Sequence, residues 1–172
     1  QSSVTLFGVV DAAVTHVNGK ENWNGMTNSG TTSSRLGFRG VEDLGNGLKA
    51  EFWLEGALSN DDGTGFGAGK NAKNSDGGFS FQRRSTVGLH GSFGEVRLGR
   101  DLTAAYSATS RYDVFGDIGV GAAGLWEQNR QNNMVAYYTP NFAGFKLGLN
   151  YGFGESKDEF EKSSTSASAY AG

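Results

Sequence analysis

Between Leu36 and Gly56 the chain reads LGFRGVEDLGNGLKAEFWLEG, with apolar side chains recurring at every second position on both sides of Gly45-Asn46-Gly47. Leu36 and Phe38 precede this punctuation, and Leu48, Ala50, Phe52 and Leu54 follow it. Arg39, Lys49, Glu51 and Glu55 take intervening positions. A strand sends successive side chains to opposite faces, so period two predicts a β-hairpin with one apolar and one charged face. The apolar face of such a hairpin meets either a protein core or lipid.

The same pattern recurs along the chain. SVTLFGVVDAAVTHV predicts a first strand, followed by a polar connection from Asn18 to Ser34. After the opening hairpin comes a second polar run, Leu58 to Gly78. FQRRSTVGLHGSFGEVRLGRD then predicts a hairpin turning at Gly91–Gly94, and a long connection runs from Leu102 to about Asn132. MVAYYTPNFAGFKLGLNYGF predicts a third hairpin, turning at Pro140–Gly144. A polar run from Glu155 to Thr165 follows, and Ala167 to Gly172 is expected to start another strand.

Long and short connections alternate. In an up-and-down sheet this places the short turns on one rim and the long loops on the other. Outer-membrane barrels have that asymmetry, whereas soluble sandwiches have no reason to keep it. The expected fold is therefore all-β, an antiparallel up-and-down transmembrane β-barrel. Its apolar face meets lipid and its charged face lines water.

The composition agrees with that reading. Gly supplies 28 residues and Pro only one, and Phe, Tyr and Trp are spread throughout, which suits closely approaching strands and sharp turns. Mean hydropathy of -0.43 excludes helical membrane proteins alone, because a barrel wall needs apolar residues at only half its positions. A net charge of -3 points away from nucleic acid, and the absence of Cys excludes disulfides and thiolate metal sites. Gln1 as first residue fits a mature terminus left by removal of a signal peptide.

The third long connection, Asp101 to Gln131, carries Tyr106, Tyr112, Phe115, Leu125 and Trp126, more apolar weight than the other loops. A loop of this length and composition is expected to be functional, packing inside the barrel and narrowing its bore. Several long stretches carry a resemblance: SVTLFGVVDAAV, SRLGFRGVEDLGNGLKAEFWLEG, RRSTVGLHGSFGEVRLGRD, RYDVFG and NNMVAYYTPNFAGFKLGLNYGF. In that order they resemble the general porins of β-proteobacterial type, a trimeric Gram-negative outer-membrane family with anion-selective members. The resemblance implies a 16-stranded barrel of which residues 1–172 supply the N-terminal half, with 101–131 as the constriction loop. It further implies a homotrimer in contact with outer-membrane lipids and lipopolysaccharide. The implied function is passive diffusion of small anions and hydrophilic solutes, without cofactor and without catalysis.

A channel becomes selective when fixed charges in a narrow neck alter local ion concentrations. Parity and the long loop nominate Arg35, Glu55, Arg83, Arg84, Asp113 and Arg130 for that neck, with Arg39, Lys49, Glu51 and Arg97 as further charges on the watery face. By motif, Arg35, Arg83 and Arg130 match the basic cluster of the anion-selective porins, and Glu55 and Asp113 its acidic partners. Alternation counted back from Val87 and Leu89 sends Arg84 to the watery face and Arg83 toward lipid. Either a bulge reverses the parity or Arg84 carries the role, so both are named.

Other motifs carry less. GVGAAG, Gly119–Gly124, spells a dinucleotide fingerprint but lacks the strand before it and the helix after it. His16 and His90 are too few and too far apart in sequence to nominate a metal site. Two rival readings use the same strands. One is a closed eight-stranded barrel acting as an anchor or lipid enzyme, for which only Ala167–Gly172 is available as an eighth strand. The other is a secreted β-sandwich, which requires the apolar residues to lie between two sheets.

Overall fold

The computed structural model describes residues 2–19, 22–65, 78–112, 129–154 and 164–171. In chain order the elements are β1 (Ser3–Val9), β2 (Ala12–Val17), β3 (Trp23–Asn28), β4 (Arg35–Gly45), β5 (Leu48–Ser59) and β6 (Thr64–Gly65). They continue as β7 (Arg84–Gly91), β8 (Gly94–Leu102), helix α1 (Ala104–Thr109) with a 3₁₀ turn at Ser110–Tyr112, β9 (Arg130–Tyr138), β10 (Phe145–Gly152) and β11 (Ser164–Ala171).

One antiparallel sheet runs β1-β4-β5-β7-β8-β9-β10-β11, with β6 pairing only with β5. Each short connection joins strands that also pair in the sheet: β4 with β5, β7 with β8, and β9 with β10. Short turns therefore share one rim and long connections the other. The tightest turn, between β4 and β5, places Gly45, Asn46 and Gly47 in succession at φ 84°, 52° and 77°. Glycine and asparagine tolerate that left-handed backbone best, which explains the Gly-Asn-Gly punctuation.

Burial is inverted relative to a soluble sheet. The apolar row is open: Val4 is 71% exposed and Leu147 50%, and Leu6, Phe38, Phe52, Val87, Leu89, Leu98 and Leu149 are exposed as well. The opposite row includes buried Thr86, Asp101 and Asn150 beside Met134 and Ala136. No second sheet covers the apolar side among the described residues; the remaining sheet is only the β2–β3 pair. This rules out the sandwich, because a sandwich buries what is exposed here. The eighth strand is longer than Ala167–Gly172, beginning at Ser164, but β1 and β11 do not pair. The strand path does not close on itself as an eight-stranded barrel must.

Three connections contain more structure than their composition suggests; in the second, β6 pairs back on β5. The predicted first strand divides at Val10-Asp11, where β2 leaves the main sheet and pairs with β3 inside the run read as a polar loop. Asp11 organises the break. Its carboxylate accepts the N–H groups of Gly30, Thr31 and Thr32, its own N–H donates to Ser34 Oγ, and its carbonyl accepts from Ser29. The three backbone donors hold the Asp11 carboxyl below its ordinary value, Thr32 contributing most. The third connection opens with α1 rather than with irregular chain. Thr103 caps it, its hydroxyl accepting from the Tyr106 N–H. No described helix is long and apolar enough to cross a membrane.

Candidate functional site: an arginine-bearing polar face

Register decides which charges meet. Across β4, β5 and β7, the pairings Arg39↔Trp53↔Thr86 and Gly37↔Glu55↔Arg84 set Arg35, Arg39, Lys49, Glu51, Trp53, Glu55 and Arg84 on one face. From β8, Glu95, Arg97 and Asp101 join them through Arg97↔Gly88 and Asp101↔Gln131.

Two groups form on this face. Toward the long-connection rim, Glu55 Oε1 lies 2.7 Å from Arg83 Nε and 3.9 Å from Arg35 Nε. Trp53 Nε1 donates to the other Glu55 oxygen at 3.1 Å. Arg130, opening β9, donates from Nε to the Arg83 carbonyl at 2.9 Å. Arg35 and Arg83 thus face a single carboxylate, and Arg130 joins them through the Arg83 carbonyl. The second group begins at Arg84, the register partner of Glu55, and extends down the wall. Asp101 Oδ2 is 3.3 Å from Arg84 Nε and 2.6 Å from Arg97 Nη1; Arg84 also meets Glu51 at 3.6 Å, and Arg97 Nε donates to Glu95 at 2.7 Å. There three acids face two arginines.

The parity problem at Arg83-Arg84 resolves without a bulge. β7 begins at Arg84, which obeys the alternation, while Arg83 occupies the bend before the strand. Freed from the pleat and tied to Glu55 by both its backbone N–H and its guanidinium, Arg83 reaches the same polar face. The expectation that strict alternation sends Arg83 toward lipid is corrected on this ground.

Aromatic rings fill the wall between the charges. Arg39 lies 5.3 Å from the Trp53 ring and 5.6 Å from that of Phe7, and Arg84 lies 4.5 Å from Trp53. Guanidinium groups stacked this way keep their charge while their planes are held against the wall. Sequence reasoning passes over Phe7, Trp53, Glu95 and Asp101. Parity with Arg97 points to both acids, but in the sequence Asp101 reads as the start of the loop.

His90 also belongs to this network. It sits opposite Glu95 and 2.9 Å from Glu51, and the three side chains offer ligand atoms within 4.8 Å of one another. Arg84 and Arg97 already pair with those two carboxylates, so the cluster reads as part of the ion-pair network. Asp113, most of the expected constriction loop and GVGAAG lie outside the described residues.

Comparison with known proteins places this geometry. The family described as Gram-negative porin matches residues 1–172. Outer membrane porin protein 32 of Delftia acidovorans is 49% identical over 169 residues, covering 90% of this chain and 45% of that protein. An outer membrane porin protein of Bordetella pertussis is 35% identical over 176 residues, covering 89% of this chain and 43% of that protein. Among solved structures, the anion-selective porin from Comamonas acidovorans superposes with a TM-score of 0.75 at 48% identity, over 91% of this chain and 48% of that one. The chain spans about half the length of the curated relatives it matches.

Proposed function

The chain belongs to the Gram-negative porin family, and from that premise we propose that it builds the wall of a water-filled outer-membrane channel for ions and small hydrophilic solutes, with a preference for anions. The inverted burial carries the reading. A sheet that exposes Val4, Leu6, Leu147 and Leu149 on one face and gathers arginines on the other suits lipid outside and water inside.

Charge placement supports the anion preference. In the lower group Glu51, Glu95 and Asp101 outnumber Arg84 and Arg97 by one, so these arginines bring no excess positive charge. The upper group holds Arg35, Arg83 and Arg130 against Glu55, leaving excess positive charge toward the long-connection rim. In a narrow passage such excess raises local anion concentration, and arginine forks suit carboxylate and phosphate. Within this proposal, residues 1–172 belong to one barrel domain and 101–131 forms the constriction. Asp113 serves as an acidic partner there, and Arg39, Lys49, Glu51 and Arg97 extend the charged wall. The working assembly is a homotrimer held in outer-membrane lipid and lipopolysaccharide, with no catalytic step.

Planar-bilayer recording of the full-length protein in a salt gradient tests the selectivity. A reversal potential of the sign set by anion permeation is expected, and Arg130→Gln should diminish it while the assembly stays intact. A cation-selective wild type would overturn the proposal.

A further inference from the structure

The first residues of the third connection are held against the sheet wall by a polar clamp centred on one buried amide. Asn150, on β10 and 3% exposed, accepts at Oδ1 from the Ala104 N–H at 2.7 Å and from the Ser166 hydroxyl. Its Nδ2 donates to Gln131 Oε1 at 2.8 Å. Ser166 on β11 in turn accepts from the Ala105 N–H at 3.4 Å. Donors on one side and an acceptor on the other set the orientation of the amide.

The three attachments come from different places. Ala104 is the first residue of α1, where the chain leaves β8; Gln131 is where it has re-entered the sheet on β9; Ser166 belongs to the wall. Asn150 therefore ties the outgoing end, the returning end and the wall to one side chain. Gly152 makes room for this, since a Cβ there would collide with the Gln131 amide. Apolar packing and a second anchor complete the dock. Ala104 and Ala108 are buried, and Arg111 stacks 4.3 Å from the ring of buried Tyr170 on β11.

We propose that Asn150 is a positioning residue that keeps the start and end of the third connection seated on the β10–β11 wall, and that this seating sets the channel's cross-section. The second half of the proposal rests on the porin function given above; the first does not. A six-residue helix is too short to persist alone, so its place depends on what it docks against. The four N–H groups at a helix start lack intrahelical partners, and Asn150 and Ser166 satisfy two of them.

The test uses two substitutions in the full-length protein. Asn150→Leu removes all three bonds. Ala104→Pro breaks only the attachment between Asn150 and the helix, since it removes that N–H and sets the ring Cδ where the hydrogen pointed; proline is tolerated at the first helical position, and Thr103 already has the extended ψ of 152° that a residue before proline prefers. Loss of one buried hydrogen bond should raise the undocked population about tenfold. Hydrogen exchange at the amides of residues 105–110 in detergent-solubilised protein should quicken by about that factor. In planar bilayers, excursions from the open-channel current should become correspondingly more frequent, with the assembly's heat stability unchanged. If Asn150→Leu fails to assemble, Ala104→Pro decides. Unchanged exchange in Ala104→Pro would overturn the clamp; faster exchange with a wild-type current trace would overturn only its link to the cross-section. A wild type that forms no channel would overturn that link together with the porin reading, while exchange still reports on the clamp.

Discussion

Glu55 shows how a single side chain governs the local field. It accepts from Arg83 and Trp53 and faces Arg35, so Glu55→Gln would leave an added unit of positive charge in the upper group. At the separations found here one charge is worth roughly 1 kcal/mol in water-like surroundings, about fivefold in local anion concentration. Glu55→Gln should therefore strengthen anion preference, and Arg83→Gln weaken it, both read from reversal potentials. Asp11 yields a pH prediction. Its carboxyl titrates below the ordinary 3.8 because three backbone N–H groups stabilise the charged form. The turn it holds gains full stabilisation above the ordinary value and loses it as pH falls through the lowered one. Protection of the Thr31 and Thr32 amides should collapse in that acidic range, and Asp11→Asn should remove the pH dependence.

The strands were legible as elements because alternation survives any tertiary context that keeps one face wet and the other apolar. The hairpins at Gly45–Gly47, Gly91–Gly94 and Pro140–Gly144 appear where their turn residues place them. The two faces predict opposite tolerance. Leu6→Arg on the apolar side of β1 should destabilise the folded barrel by roughly 2–4 kcal/mol if it lies near the bilayer midplane. Thr5→Lys, one position away on the polar face and opposite Arg39, should cost far less. Denaturant titration of both variants in lipid vesicles would measure the contrast. What alternation missed were β3, the two-residue β6 and α1. β3 contains Asn, Gly and Thr, and it pairs because Asp11 turns the chain back on β2. The helical bonds of α1 are supported by Asn150 and Ser166, which lie 46 and 61 residues beyond their partners.

For the whole molecule, the alternation of long and short connections said most, because an antiparallel meander converts connection length directly into rim. The exposed apolar rows predict that the full-length protein requires detergent for extraction from its membrane. The homotrimer proposed above should migrate in SDS as a heat-modifiable oligomer, converting to monomer on boiling. Monomer mobility before heating would contradict the trimer.

Residue order alone determined the strands, their turns, the partition into apolar and charged faces, and the separation of long loops from short turns, since each follows from side-chain parity and local backbone preference. Only tertiary structure decided which charges neutralise one another. Whether Arg83 leaves the pleat, whether Asp101 bridges Arg84 and Arg97, and what seats α1 depend on register between strands distant in sequence. A charged side chain's partner is whatever the folded backbone brings within a few ångströms, and that distance is not encoded in its immediate neighbours.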